Sequence, residues 1–158
     1  MAQLAFEFLD SNKKVLKSLF VEDIRELGQN LDNWLSVDYY AAVIVGFAWR
    51  EKLIAIEDVK KYLESKDFWI RRIAIVATVS LNQKARGGFG DSEQTSEVCK
   101  NAVDDHEDMI VKALSWALRE LAKIEGRPVA EFIERYKDRL HRKVIREVTT
   151  KLETGRKN

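Results

Sequence analysis

Cysteine and proline are almost absent from this chain of 158 residues, which contains one of each. A lone cysteine, Cys99, excludes a framework of disulfide bonds and fits a reducing compartment, so we expect a cytoplasmic protein. The single proline and the seven glycines leave long stretches free to form helices. No run approaches the roughly 18 apolar residues of a membrane span, and no basic-then-apolar leader indicates export.

Histidine is also scarce, and the sequence offers little for metal or cofactor chemistry. His106 and His141 lack the spacing of zinc ligands, and Cys99 stands alone, so we expect no metal and no cofactor. The GGFG stretch at 87–90 is glycine-rich, but no strand precedes it and no Lys-Ser/Thr pair follows it. A nucleotide phosphate loop is therefore not indicated.

Neither sign of charge dominates, since the net charge is only +1. The charges are nevertheless segregated along the chain, with −3 over 1–65, +4 over 66–86, −5 over 87–126 and +5 over 127–158. This alternation allows basic residues to share one surface while acidic residues face elsewhere.

The spacing of apolar residues indicates α-helices almost throughout. They recur every three or four positions in AFEFLDSNKKVLKSLF, EDVKKYLES, KALSWALRELAKI and VAEFIERYKDRL. The apolar segment RRIAIVATVSL is longer than a usual strand and lacks turn residues, so we interpret it as a buried helix.

A pair of helices is repeated four times. The more apolar member of each pair is predicted at 34–50, 68–84, 107–125 and 142–154. The more amphipathic member precedes it, at about 21–31, 55–65, 92–104 and 127–140. With a leading helix near 3–18, this period predicts an all-α solenoid that forms a single domain over 1–158.

Three of the more apolar helices place a tryptophan one turn before a charge. The combinations are Trp34 with Asp38, Trp69 with Arg71 and Arg72, and Trp116 with Arg119. Residues three or four apart share a helix face, so each segment offers an aromatic plane beside a charge. An aromatic plane beside a charge is suited to binding a phosphate backbone that lies next to a cationic group. We expect the remaining Trp49, and Trp69 itself, to pack in the core.

These segments resemble the AlkD-like family of DNA alkylation repair proteins, which are glycosylases built from HEAT-like helical repeats. The resemblance rests on NWLSVDYYA, SKDFWIRRIAIVAT and EDMIVKALSWALRELAK, which span about 33–125. An ordinary HEAT repeat does not carry W-x-R-R-x-A-I followed by K-A-x-x-W-x-L-R-E. Family members carry additional N-terminal helices that grip the duplex, so the resemblance also implies a shortened member.

The resemblance implies a substrate and a set of site residues. The substrate is duplex DNA with alkylated purines, excised without base flipping, and neither a membrane nor a particular protein partner is implied. The catalytic residues implied are Trp34, Asp38 and Trp116, and the DNA-binding residues implied are Arg119 and Arg71 or Arg72. A purine alkylated at N3 or N7 leaves as a neutral base, so one carboxylate that stabilises the cationic sugar suffices.

The residue types alone leave other functions open, because a fold does not fix a function. The solenoid also suits a non-catalytic binder of damaged or branched DNA, or a protein-interaction scaffold. Tryptophans on buried helices commonly pack in cores, and an acid near a helix N-terminus is favoured by the helix dipole. A basic cluster on the last helix, Arg142, Lys143 and Arg146, either extends a DNA surface or is merely solvated.

Overall fold

The computed structural model describes residues 2–156, and every regular element in that range is helical. The helices stack as the repeated pairs predict, which confirms an all-α helical-repeat solenoid. Within residues 2–156, no helix has both the length and the apolar character needed to cross a bilayer.

Eleven α-helices make up the described part of the chain. They are α1 (Ala2–Ser11), α2 (Lys13–Lys17), α3 (Val21–Leu27), α4 (Trp34–Tyr39), α5 (Gly46–Arg50), α6 (Ile56–Lys61), α7 (Phe68–Asn82), α8 (Ser92–Cys99), α9 (Asp108–Ala122), α10 (Gly126–Tyr136) and α11 (Arg142–Thr154). A π-helical segment, Tyr40–Val45, joins α4 to α5 as one long helix. Short 3-10 turns lie at Tyr62–Glu64, Lys84–Arg86 and Lys100–Ala102.

The helices form two layers. In the inner layer, the long α4–α5 helix packs beside α7, α7 beside α9, and α9 beside α11, while α1 lies beside α4 at the end of the row. The outer layer contains α3, α6, α8 and α10. Every residue of α7 from Arg72 to Asn82 is buried, which explains why this stretch is mostly apolar on all sides rather than amphipathic.

Tyr40 ties the inner layer to the outer one. Its hydroxyl donates to the Ile24 carbonyl oxygen of α3 at 2.5 Å and lies 3.0 Å from the Tyr62 hydroxyl beyond α6. Burial raises the pKa of Tyr40, and the neighbouring Tyr62 raises it further. The side of the long helix that carries Tyr40 therefore faces the outer layer, and the opposite side faces away from it.

The inner helices approach closely where α5 crosses α7. A Cβ atom on Gly46 would lie 2.4 Å from the Ser80 Cβ and 2.9 Å from the Ala77 carbonyl oxygen. Only glycine fits at this position without displacing α7.

The structure corrects several helix boundaries predicted from the sequence; the last outer helix, for example, was expected over 127–140 and ends at Tyr136. The leading helix is broken at Asn12, whose side-chain amide donates to the Phe8 carbonyl oxygen at 2.8 Å and thereby satisfies the end of α1. The first outer helix, expected to reach residue 31, ends at Leu27 because Gly28 packs against the Tyr40 ring, with 2.6 Å between its would-be Cβ and that ring.

Candidate functional site

Trp34 begins α4 and points into solvent. The Asn33 side-chain oxygen caps this helix by accepting from the Ser36 N–H at 3.1 Å, which fixes Trp34 as the first helical residue. The Trp34 side chain is 59% exposed, although large aromatic residues are usually buried. The exposed indole is therefore accessible to a ligand that approaches this end of the inner layer.

Asp38, one turn after Trp34, is held by Arg72 of α7. The Arg72 Nε lies 2.7 Å from Asp38 Oδ1 and the Arg72 Nη2 lies 2.8 Å from Oδ2, so the pair is bidentate. The remaining Arg72 nitrogen, Nη1, donates to the Met109 carbonyl oxygen in the first turn of α9. One guanidinium therefore joins three successive inner helices at the position of the Asp38 carboxylate.

The ion pair is oriented, with its negative end towards solvent. The Arg72 side chain is only 7% exposed, whereas the Asp38 side chain is 17% exposed. Bidentate arginine–carboxylate contacts fix the plane as well as the distance of the carboxylate. Each carboxylate oxygen keeps a second lone-pair direction, so Asp38 can still accept from water or face a developing positive charge.

The pairing of Asp38 with Arg72 was not predicted from the sequence, although the repeat register contains the signal. Asp38 is the fifth residue of α4 and Arg72 is the fifth residue of α7. In a stack of similarly oriented repeats, equivalent positions on neighbouring helices lie side by side. The doubled arginine in WIRR obscured this, because either arginine matched the motif.

Arg71 turns the other way and stabilises the chain. Its Nε lies 2.7 Å from Asp105 Oδ2, and its Nη1 donates to the carbonyl oxygens of Ser65 at 3.1 Å and Lys66 at 2.8 Å. These contacts fasten the connection before α7 to the connection before α9. Of the two adjacent arginines, only Arg72 contacts Asp38.

Trp116 and Arg119 lie on α9, two repeats from Trp34. Trp116 is partly buried and packs against the core. Arg119 Nε lies 3.2 Å from the Ser115 hydroxyl oxygen and 3.9 Å from Glu147 Oε2, and Ser115 itself donates to Glu147. The Arg119 contact with its carboxylate is therefore looser than that of Arg71 or Arg72.

The other tryptophans pack as the sequence predicts. Trp49 is 4% exposed, and its indole N–H donates to Gln94 Oε1 at 2.8 Å. Trp69 is partly buried against the core, with its ring centroid 4.7 Å from that of Phe68.

Histidine and acidic residues do not assemble into a metal site in the described range. Among residues 2–156, no group of three or more His, Cys, Asp or Glu side chains has the geometry to hold an ion. His106 and His141 lie edge to face at 5.6 Å, and each has a structural contact. The His106 ring contacts the Arg139 carbonyl oxygen at 2.9 Å, and His141 Nδ1 accepts from Lys143 N–H to cap α11.

Comparison with known proteins identifies the family. No curated protein and no solved structure was found to match the chain. The family model described as DNA alkylation repair enzyme matches residues 1–152, nearly the whole chain. This match agrees with the resemblance carried by the tryptophan and arginine motifs. The chain belongs to the family of DNA alkylation repair enzymes.

Proposed function

We propose that this DNA alkylation repair protein is a glycosylase for purines that carry a positive charge after alkylation at N3 or N7. The observation that carries the proposal is the Asp38 carboxylate, which is held bidentately by a buried arginine with its free side towards solvent. It lies one helical turn from the exposed Trp34. An acid and an aromatic face held together suit a cation.

The chemistry requires little from the protein beyond electrostatics. A cationic alkylpurine departs as a neutral base, and positive charge develops on the deoxyribose. A preorganised carboxylate stabilises that charge and orients the attacking water, which is the role that we assign to Asp38. No second carboxylate is needed as a general acid, unlike in most glycoside hydrolases.

Arg72 is the positioning residue in this proposal. It touches neither the sugar nor the base, and it acts by fixing the Asp38 carboxylate in one plane. Its positive charge also weakens the field of Asp38, but the guanidinium lies on the buried side and the carboxylate is the nearer group to a ligand. The dipole of the pair therefore still favours a cation.

Trp34 and Trp116 are proposed to contact the sugar and its flanking backbone. A tryptophan face attracts a cation by about 0.5–2 kcal/mol, depending on how dry the contact is. That attraction increases as the sugar becomes cationic, so it contributes more to the transition state than to the bound substrate.

The proposal keeps the damaged base within the duplex. Glycosylases that flip a base need a pocket to receive it. Two cavities, of about 870 and 640 Å³, are lined by residues at the C-terminal ends of α5, α7 and α9 and by the loops that follow. Neither cavity is lined by Trp34, Asp38 or Trp116, which supports recognition through sugar and backbone.

A non-catalytic DNA binder is the second candidate, and one observation favours it. Arg72 offsets the charge of Asp38, which weakens the attraction of this carboxylate for a cationic sugar. Arg71, by contrast, is occupied by its own contacts within the chain, which counts against a contact with DNA. The DNA-binding role of Arg71, Arg72 and Arg119 therefore stays a prediction, for which Arg119, at 3.9 Å from its carboxylate, is the most available.

Substrate discrimination tests the proposed function. Two identical duplexes would carry either 7-methylguanine, which is cationic, or hypoxanthine, which is neutral, and base release would be followed under single-turnover conditions. We expect release of 7-methylguanine only. Trp34→Ala should slow release without unfolding the protein, whereas Phe20→Ala, at another residue with an exposed aromatic ring (74%), should not. Binding of both duplexes without release would favour the non-catalytic binder.

A further inference from the structure

Three cations surround a small cavity between α1–α2, the long α4–α5 helix and the turn after α7. Lys13, Arg50 and Arg86 line this cavity of about 210 Å³ together with Asp10 and Ser80, and we call it the cation pocket. Its volume is several times the ~30 Å³ that one water occupies in the liquid, which leaves room for one hydrated phosphate group.

The cation pocket has an excess of positive charge. Its one carboxylate, Asp10, is in contact with Lys13. Arg50 Nη1 donates to the Ser80 hydroxyl at 2.7 Å, and Arg86 Nε donates to Gln83 Oε1 at 2.9 Å. Within residues 2–156, neither of these two arginines forms an ion pair with a carboxylate.

The two arginines also repel each other. Burial lowers the pKa of Arg50, the nearby Glu51 raises it in part, and the positive charge of Arg86 lowers it by a smaller amount. The two like charges still repel each other, and an anion bound between them would relieve that repulsion.

The pocket opens on the same side of the long helix as Asp38. Tyr40 faces the outer layer, and residues two positions before and after it point the other way. Those residues are Asp38 and Ala42, and Ala42 lines the cation pocket. Arg50, which also lines the pocket, lies twelve residues after Asp38 on the same long helix.

Arg86 is held in place by an ordered loop. Gly87 has φ 85°, in the left-handed region, and a Cβ on Gly88 would lie 2.5 Å from the Leu81 backbone. The Gly88 N–H donates to the Gln83 carbonyl oxygen at 2.9 Å. The glycines therefore press this loop against the end of α7, which fixes the backbone that carries Arg86 and reduces the entropy lost on binding.

We propose that the cation pocket binds a backbone phosphate of duplex DNA and is a principal DNA-anchoring site of this protein. The proposal rests on the proposed function, because it assumes that Asp38 and the pocket face the same duplex. It assigns the phosphate contact to Arg50 and Arg86, which form no ion pair with a carboxylate among residues 2–156, whereas Arg71 and Arg72 are paired with carboxylates inside the chain.

The test compares DNA affinity of the wild type, Arg86→Gln and the control Arg127→Gln at several salt concentrations. Arg86 is exposed, so the substitution should leave the fold intact. Arg127 serves as the control because it is an arginine that is 90% exposed on α10, in the outer layer. Fluorescence anisotropy would report binding to an undamaged duplex. We expect Arg86→Gln to weaken binding several-fold and to lower the slope of log affinity against log salt by about 0.9, the value of one phosphate contact.

The outcomes separate this inference from the proposed function. Unchanged affinity and slope in Arg86→Gln, with base release intact, would overturn the phosphate site alone. If Arg86→Gln lowers the slope of log affinity against log salt but the wild type releases no base, the phosphate site would be supported and the glycosylase activity contradicted. Failure of the wild type to bind duplex would contradict both. Thermal shift with inorganic phosphate at constant ionic strength provides a second measurement. If free phosphate binds tightly but Arg86→Gln does not change the affinity for DNA, the pocket is a site for small anions instead.

Discussion

The ion pair between Asp38 and Arg72 should dominate the response of this protein to mutation at the proposed site. Arg72→Met removes the guanidinium and leaves a carboxylate that is 17% exposed and partly hydrated, so we expect a loss of about 2 kcal/mol in the free energy of unfolding. Asp38→Asn leaves a positive charge that is only 7% exposed, so we expect a larger loss, of about 3 kcal/mol.

The double variant isolates the interaction itself. With N···O distances of 2.7 and 2.8 Å, the centres of the two delocalised charges lie about 4 Å apart, and the attraction is about 4 kcal/mol at an effective dielectric constant near 20, before desolvation is subtracted. The Asp38→Asn and Arg72→Met double variant should therefore be about 2 kcal/mol more stable than the sum of the single effects implies.

Urea unfolding of the four proteins provides the measurement. The control cycle uses Asp108 and Lys112, an ion pair at 2.6 Å on the surface of α9, whose members are 62% and 45% exposed. Exposed pairs couple weakly, so the effects of this control cycle should nearly add. Additive losses at Asp38 and Arg72, within about 0.5 kcal/mol, would refute the argument that a rigid ion pair holds the carboxylate.

Three further predictions concern other parts of the molecule. The Cys99 thiol is buried, which raises its pKa to about 12, so iodoacetamide at pH 8 should modify it only after unfolding; rapid modification of the native protein would contradict this. Gly46→Ala should lower the free energy of unfolding by more than about 1 kcal/mol, measured in urea, because the new Cβ would lie 2.4 Å from the Ser80 Cβ; an unchanged midpoint would be inconsistent with close packing of α5 and α7. Burial favours protonated Asp58, but a hydrogen bond from the Ala55 N–H and the nearby Lys61 outweigh it and hold the pKa of Asp58 below its usual value. The stability that Asp58 contributes is therefore present above about pH 4 and is lost as the pH falls through the folded pKa. The free energies of unfolding of the wild type and Asp58→Asn should converge in acid. A difference between them that does not vary with pH would exclude this role.

Much of the fold can be predicted because apolar spacing is a local property of the chain. The inner helices expected to begin at 34, 68, 107 and 142 begin at Trp34, Phe68, Asp108 and Arg142. Their burial requires long apolar stretches, which the sequence displays directly. The break at Asn12 was less visible, because a side chain that competes for a backbone carbonyl leaves no mark on the apolar period.

The candidate site was only partly predictable. Residue types and helical spacing indicate Trp34 and Asp38 as neighbours, since both lie on one helix. The Arg72 contact joins residues 34 positions apart and depends on how the repeats stack. Its consequence for Asp38→Asn is also hidden from the sequence, because Asn is the same size as Asp yet leaves the buried guanidinium without its counter-ion.

Single-turnover release of 3-methyladenine from a methylated duplex tests the central claim most directly. The proteins to compare are the wild type, Asp38→Asn and the control Asp108→Asn, each at a temperature where circular dichroism shows it to be folded. We predict that the wild type and the control release the base well above the spontaneous rate. Asp38→Asn should be slower by roughly a hundred- to a thousandfold, the worth of one preorganised electrostatic contact. Equal rates for the wild type and a folded Asp38→Asn would contradict the catalytic role of this carboxylate.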